Sequence, residues 1–432
     1  MSRTTKNRRK DPSRREFLKA AATVGGLGVG AAMVGPAPVI WAQNIKNVTL
    51  RHVGNSYSAI TDIGQQASKD LGFKVQMQIA GSDALINRAV TQPGSVDILD
   101  MDHWAYKLVV PRGVLQGIPL SKFKWWDQVV PIFTKGTTLQ GAPLSRQGVL
   151  PYTIQYLEKP ESIRFAGGPT DVISIVPDIY NADTLGYRPD LIERPHHWRE
   201  LLDAKYAGKT AIVAIPSIGI MDAAMAIESR GDFKYKDKGN MTKEEIDRTV
   251  AILKQLKARR QFRAFWNSFD ESVNLMASGE VVLQSMWSPA VTAVRAKQIA
   301  CGYPLLAEGY RAWASGLGVM RHVKGVKLDA AHEYLNWYLS GWQGGFIAKQ
   351  GYYSSVPDTA KKFLTPDEWG YWYEGKPATA PITDPFGTVM AKSGEVREGG
   401  SLWDRMGHVA CWNTVMDNNN YMVQQWISFL SA

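Results

Sequence analysis

The order in which hydrophobic patterns alternate constrains this chain more than any other feature. "VTLRHVG" (Val48–Gly54) carries the short β-rich pattern of a strand. Ile60, Ile63, Ala67 and Leu71 follow at helical spacing, and Gly72 closes the run. "KVQMQI" and "VDILDM" predict two further strands, with a helix around Asp83–Val90 between them. The alternation returns later. "TAIVAIP" (Thr210–Pro216) predicts a strand entering a helix at Ser217. In "MTKEEIDRTVAILKQLKARR", Thr242 and Glu245 have capping-box spacing, and Ile246, Val250, Leu253 and Leu256 form a stripe for a core. "GEVVLQSMW" predicts a strand. "LDAAHEYLNWYLSGWQGGFIAKQG" predicts one helix with Ala331, Leu335, Tyr338 and Trp342 on one side. Such alternation predicts an α/β fold.

Ahead of this lies "SRREFLK" (Ser13–Lys19), which matches the twin-arginine export motif at its fixed positions. Lys6, Arg8, Arg9 and Lys10 precede it. Ala20–Val34 is uncharged and glycine-rich, too weakly apolar to serve as the roughly 20-residue span a bilayer takes. Pro36 and Pro38 end it. Residues 1–42 therefore read as a cleaved twin-arginine signal, with the mature chain starting at Gln43. No cysteine near that point offers a lipid attachment, so a soluble periplasmic product is expected. Gly26, Gly28 and Gly30 mimic half of a nucleotide-binding loop, but no strand precedes them.

Removing that segment takes away eight Lys/Arg and two acids, so the net charge of +10 falls to +4. With no clustered basic patch either, a nucleic-acid partner is not expected. The 390 residues left exceed what one core usually supports, which predicts two domains. The cysteines are Cys301 and Cys411 alone; a disulfide between them and two separate buried thiols both fit the sequence. Neither lies in a Cys-x-x-Cys, the seven histidines lack metal spacing, and no H-E-x-x-H, G-x-S-x-G or phosphate loop occurs. No metal, no cofactor and no catalytic residue is expected.

Four stretches together resemble a known family. They are "VTLRHVGNSYSAITDIGQQASKDLGFKV"; "SVDILDMDHWAYKLVVPRGVLQGIPLSKF"; "HWRELLDAKYAGKTAIVAIPSIG"; and "SGEVVLQSMWSPAVTAVRAK" followed by "WASGLGVMRHVKGVKLDAAHEYLNWYLSGWQGGFIAKQGYYSSVPD". They resemble the extracellular solute-binding proteins of ABC transporters, in the spermidine/putrescine branch of the type II periplasmic binding fold. The resemblance implies two α/β lobes joined by strand crossovers, with a solute held between them and a hinge closing the lobes. It places lobe 1 at 43–170 and 288–364 and lobe 2 at 171–287 and 365–432. Crossings are expected near Gly168–Ile175 and Trp287–Trp313. A monomer that meets an inner-membrane permease transiently is implied.

Ligand-contacting loops of that family fall on Asn55, Ser56 and Tyr57; Asp102, His103 and Trp104; Thr170 and Asp171; Ser217 and Gly219; and Trp287, Trp313 and Ser315. Asp100 and Asp102 share one strand side, where a helix-capping role and a ligand role are evenly matched. Trp369, Tyr371, Trp372 and Tyr373 read as surface packing rather than a cleft roof. The chain departs from polyamine receptors: after "TAIVAIP" it has Ser217, Ile218, Gly219 and Ile220 with no acid until Asp222, and Ser315 replaces an acid beyond Trp313. An ammonium without an opposite charge is costly to bury, whereas a helix start at Ser217 favours an anion. The expected solute is a small amino-acid-like or opine-like zwitterion, its amine toward Asp102 and its carboxylate toward Ser217. The alternatives are a polyamine receptor and, in another class, a twin-arginine-exported enzyme with an unrecognised cofactor. A structural or adhesive role is disfavoured by the lack of repeats.

Overall fold

The computed structural model describes Ile45–Ala432. The export signal expected over residues 1–42 lies outside the described residues. The chain opens with strand β1 (Thr49–Gly54), helix α1 (Thr61–Leu71), β2 (Lys74–Ile79), α2 (Ser82–Thr91) and β3 (Ile98–Asp102). After a long irregular stretch comes β4 (Val176–Tyr187). Then follow β5 (Thr210–Val213), α3 (Pro216–Arg230), α4 (Lys243–Ala258), β6 (Phe262–Trp266), α5 (Phe269–Ser278), β7 (Leu283–Met286) and α6 (Ser288–Ala296). The last large elements are β8 (Tyr310–Met320), α7 (Val326–Leu339), α8 (Trp342–Ala348), α9 (Pro366–Trp372) and α10 (Asn419–Ser431).

One path of strands runs β6-β5-β7-β4-β8-β3-β1-β2. β1 pairs parallel with β2 and β3, and β5 pairs parallel with β6 and β7. β4 and β8 lie antiparallel between these two triplets and to each other. Burial differs along each parallel set: β5 and β7 are buried throughout, whereas β2, at the edge, exposes Lys74, Gln76 and Ile79. Two main cores result. One gathers Leu50, Val53, Ile98 and Leu99 with Tyr334 and Leu335 of α7. The other gathers Ile212, Ile220, Ile246 and Leu253 with Trp426 and Phe429 of α10. Every residue of β4 and β8 is buried, because these strands pass between the two cores.

Local signals read from the sequence are realised in α4. Thr242 Oγ1 accepts from the Glu245 N–H at 3.2 Å, and Glu245 Oε2 accepts from the Thr242 N–H at 2.8 Å. Ile246, Val250, Leu253 and Leu256 are all buried. Each such side chain contributes about 1.5–3 kcal/mol on burial.

Five features differ from the sequence reading. The first crossing is β4, Val176–Tyr187, one strand later than 168–175. The second is β8, so Trp313 lies within it while Trp287 ends β7. The single helix expected through residue 351 is two, α7 and α8, broken at Gly341 with φ +119°. Only glycine tolerates that turn, since a Cβ there would lie 2.2 Å from the Thr359 carbonyl oxygen. Trp369, Tyr371, Trp372 and Tyr373 are not surface packing: they join the first core, with Trp369 stacked on Tyr373 at 4.2 Å. The stretch from Thr365 divides accordingly, residues through Met406 packing with the first core and α10 with the second. Cys301 and Cys411 are two free, buried thiols, in separate clusters.

Candidate functional site

In an open parallel sheet, loops at the carboxyl ends of the strands face the ligand crevice. Here the ends of β1, β2 and β3 deliver Asn55 and Tyr57, Ser82, and Asp102 to one place. The Tyr57 hydroxyl donates to Asp102 Oδ1 at 3.0 Å and accepts from Asn55 Nδ2 at 3.0 Å. The Ser82 hydroxyl donates to Asp102 Oδ2 at 3.0 Å and lies 3.4 Å from Asn55 Oδ1. Burial raises the Asp102 pKa, and the Ser82 and Tyr57 hydroxyls pull it back. The carboxylate is thus held by neutral donors alone, and the residue is half-buried.

Through Tyr57 the carboxylate adjoins an aromatic wall. The Tyr57 ring centroid lies 5.0 Å from that of Trp313 and 6.0 Å from that of Tyr352, and Trp313 and Tyr352 meet at 6.1 Å. Trp313 reaches this place because β8 is in register with β4, opposite Asn181. An ammonium group brought to this carboxylate gains by charge, and each ring face of the cluster that it meets adds cation–π attraction of about 0.5–2 kcal/mol.

Behind the wall the pairing of β4 with β8 shifts register between Ala314 and Gly316, around Ser315. Ser315 Oγ donates to Asp178 Oδ1 at 2.6 Å, and the residue is fully buried, so it braces an acid on β4 instead of facing the cleft. Asp100 is equally buried and hydrogen-bonds His52 Nε2 at 2.9 Å. Burial raises the pKa of Asp100 and lowers that of His52, so the pair is held neutral.

The second lobe contributes differently. Trp287 caps the start of α6, half-exposed, edge-on to Trp266 at 4.8 Å and 88°. Ser217 sits in the first turn of α3. Pro216 has no N–H, and the Ile218 and Gly219 N–H groups already donate to the Ile215 carbonyl, so this helix start offers an anion chiefly the Ser217 N–H and hydroxyl. Gly219 serves packing: a Cβ there would lie 2.3 Å from the Val213 carbonyl oxygen and 2.4 Å from the Trp426 ring. Where β8 leaves this lobe, Arg311 donates to Asp222 at 2.6 Å and to Asn413 at 2.8 Å and lies 3.7 Å from Asp183. All three charged side chains are 2% exposed or less.

The structure thus brings Asn55, Tyr57, Asp102 and Trp313 together and leaves other expected residues apart. Ser56 is exposed beside the cluster. His103 turns into the first core between Phe133 and Tyr106, its pKa lowered to about 4 by burial. Trp104 is buried in the same core. Thr170 and Asp171 do not lie on a crossing strand: the crossing begins at Val176, and they lead into Val172–Ile173 of a small sheet with Ile118–Pro119 and Tyr156–Leu157. Thr170 Oγ1 donates to the Leu157 carbonyl at 2.6 Å, and Asp171 is exposed. Sequence reading missed Ser82, which the strand-end rule applied to β2 would have found. It also missed Tyr352, for which no local pattern speaks. Among the described residues no group of three or more His, Cys, Asp or Glu is placed to hold a metal ion.

No curated protein matches the sequence. Solved structures share its fold. The spermidine/putrescine ABC transporter substrate-binding protein PotD of Streptococcus pneumoniae matches with TM-score 0.59 at 13% identity, over 89% of this chain and 98% of its own. The Atu4243-GABA receptor matches with TM-score 0.56 at 16% identity, over 88% and 97%. The binding protein MotA of A. tumefaciens B6, in complex with glucopine, matches with TM-score 0.53 at 15% identity, over 89% and 99%. These confirm the two-lobed periplasmic-binding architecture. A family profile described as bacterial extracellular solute-binding protein matches residues 62–370. That stretch is well over half of the chain, so the protein belongs to the bacterial extracellular solute-binding proteins.

Proposed function

We propose that this chain is the periplasmic receptor of an ABC transporter for a small solute carrying a protonated amine, and that it does no covalent chemistry. After twin-arginine export and cleavage near Ala42, it works as a soluble monomer that closes on its solute and delivers it to a permease. The observation that carries the solute class is Asp102: a carboxylate held only by the Tyr57 and Ser82 hydroxyls, with the Tyr57 ring packed against Trp313 and Tyr352. A bound ammonium supplies the missing counter-charge. An amino-acid-like or opine-like zwitterion is the preferred solute, its carboxylate directed to Ser217. The fold shared with a GABA receptor and a glucopine-bound protein supports this reading. The polyamine reading draws on the fold shared with PotD. It needs a second free carboxylate, yet the buried acids Asp183 and Asp222 already share Arg311.

Titration calorimetry against putrescine, spermidine, γ-aminobutyrate and glucopine tests it. Losing one charge of a buried pair costs about 2–5 kcal/mol, so Asp102→Asn should weaken zwitterion binding by about 30-fold or more, and Ser217→Ala should weaken it too. Tight spermidine binding that Asp102→Asn abolishes and Ser217→Ala leaves intact establishes the polyamine reading instead. Full affinity in Asp102→Asn removes the amine assignment. A tightly bound metal or coloured cofactor on the purified protein would point to the enzyme.

A further inference from the structure

The family match ends at residue 370. Beyond it the chain does something the strand and helix order does not require. Ala378, Ile382, Met390, Ala391, Leu402 and Met406 anchor it to the first core. Between them, residues 395–398 reach across to α6, whose Ala290, Val291 and Val294 pack with Val273, Met276 and Met286 of α5 and β7 on the other side of the crossing strands.

Three side chains make the reach. Glu395 accepts from Arg295 Nη1 at 2.6 Å, and Glu398 lies 3.9 Å from Arg295 Nη2. Glu398 also accepts from the Tyr303 N–H and from the Tyr187 hydroxyl at the end of β4. Arg397, between them, is 6% exposed. Its Nη1 donates to the Tyr353 hydroxyl at 2.7 Å and the Trp372 carbonyl at 3.2 Å. Its Nη2 donates to the Gly351 carbonyl at 3.0 Å and to Ser288 Oγ at 3.4 Å. The guanidinium lies 4.9 Å from the Tyr353 ring centroid and 5.0 Å from that of Trp372. Among the described residues no carboxylate pairs with it. A buried guanidinium is held in place only by such fixed acceptors and ring faces, because letting go would strand its charge.

Its partners flank the cleft. Gly351 and Tyr353 are the neighbours of Tyr352, the ring against Tyr57 and Trp313. Ser288 follows Trp287 and opens α6. We propose that Glu395–Glu398 form an interlobe tie, with Arg397 as its positioning residue, which sets the resting spacing, from which the lobes close on solute, between the Tyr352 wall of the first lobe and Trp287 on the second. Arg397 sets the register. The partly exposed Arg295 pairs hold the segment against α6 and, being accessible to water, yield more readily. Its importance for solute binding rests on the cleft assignment above, whereas the spacing itself does not.

The test therefore reads spacing without solute. Nitroxide labels at Asp83→Cys and Asp270→Cys sit in the exposed first turns of α2 and α5, at the carboxyl rims of the two parallel strand sets. Pulsed electron resonance on the full mature chain gives their distance distribution, with the buried Cys301 and Cys411 left unlabelled. The tie predicts that Arg397→Met broadens the distribution and displaces its mean, that Arg397→Lys recovers part of the parent width, and that Arg295→Gln gives a smaller change in the same direction. A residue that merely stabilises the fold would lower the melting temperature and leave the spacing of folded molecules unchanged. Distributions of Arg397→Met and Arg295→Gln that superimpose on the parent overturn the tie. If Arg397→Met does not fold, Arg295→Gln combined with Glu398→Gln decides the matter at the surface. A solute panel that fails leaves this measurement intact.

Discussion

Arg311→Met is the sharpest test of how the second crossing is held. In the parent, Arg311 neutralises two carboxylates on different elements, Asp222 on α3 at 2.6 Å and Asp183 on β4 at 3.7 Å. Methionine fills similar volume but leaves both acids buried without a cation. Breaking a buried ionic group by removing one partner costs about 3–5 kcal/mol. With an unfolding entropy near 2.1 cal/mol/K per residue, a chain of this size loses about 4–6 °C in melting temperature for that cost. The deficit must depend on pH. Burial already raises the Asp183 pKa from 3.8 to about 6 against the pull of Arg311, and it raises that of Asp222. A carboxyl whose folded pKa lies above its unfolded value favours folding while protonated, and that contribution is lost as pH rises from about 4 through the folded pKa. Without Arg311 both folded values rise further. Thermal melts by circular dichroism should therefore show the full deficit at pH 7.5 and a clearly smaller one at pH 5. Pairing the change with Asp222→Asn should recover part of the loss. An equal deficit at both pH values, or none at pH 7.5, refutes the reasoning.

Gly219→Ala should destabilise by about 1–3 kcal/mol through overpacking against Trp426 while leaving solute affinity unchanged; weakened binding at unchanged melting temperature would make Gly219 a ligand contact. Replacing Arg14 and Arg15 by lysine should leave precursor in the cytoplasm, with mature protein of the parent starting near Gln43, as cell fractionation and amino-terminal sequencing would read. Normal export of the double variant would remove the twin-arginine assignment.

Much of the site was legible because strand ends are legible. Val48–Gly54 and "VDILDM" announce where β1 and β3 stop, and the residues just past them, Asn55, Tyr57 and Asp102, meet in the structure through hydrogen bonds of 3.0 Å. The α4 capping box and its buried stripe were readable for the same reason, since both depend only on residues within one or two helical turns. What the sequence by itself determined was thus each element's faces and ends. The crossing strand β4 shows the limit. "VPDIYNADTLGY" mixes Asp178, Asn181 and Asp183 among apolar residues and reads as neither strand face nor core, yet every residue of it is buried. Its acids are tolerable only because Ser315 and Arg311 arrive from β8, more than 120 residues along the chain. Tyr352 likewise becomes a cleft wall only through Gly351 and Tyr353, whose partners Asn181 and Arg397 lie far away in sequence. Periodicity reports which residues share a face of one element. Which charge meets which across elements follows from the crossings and their register, and a buried polar group finds its energy only there.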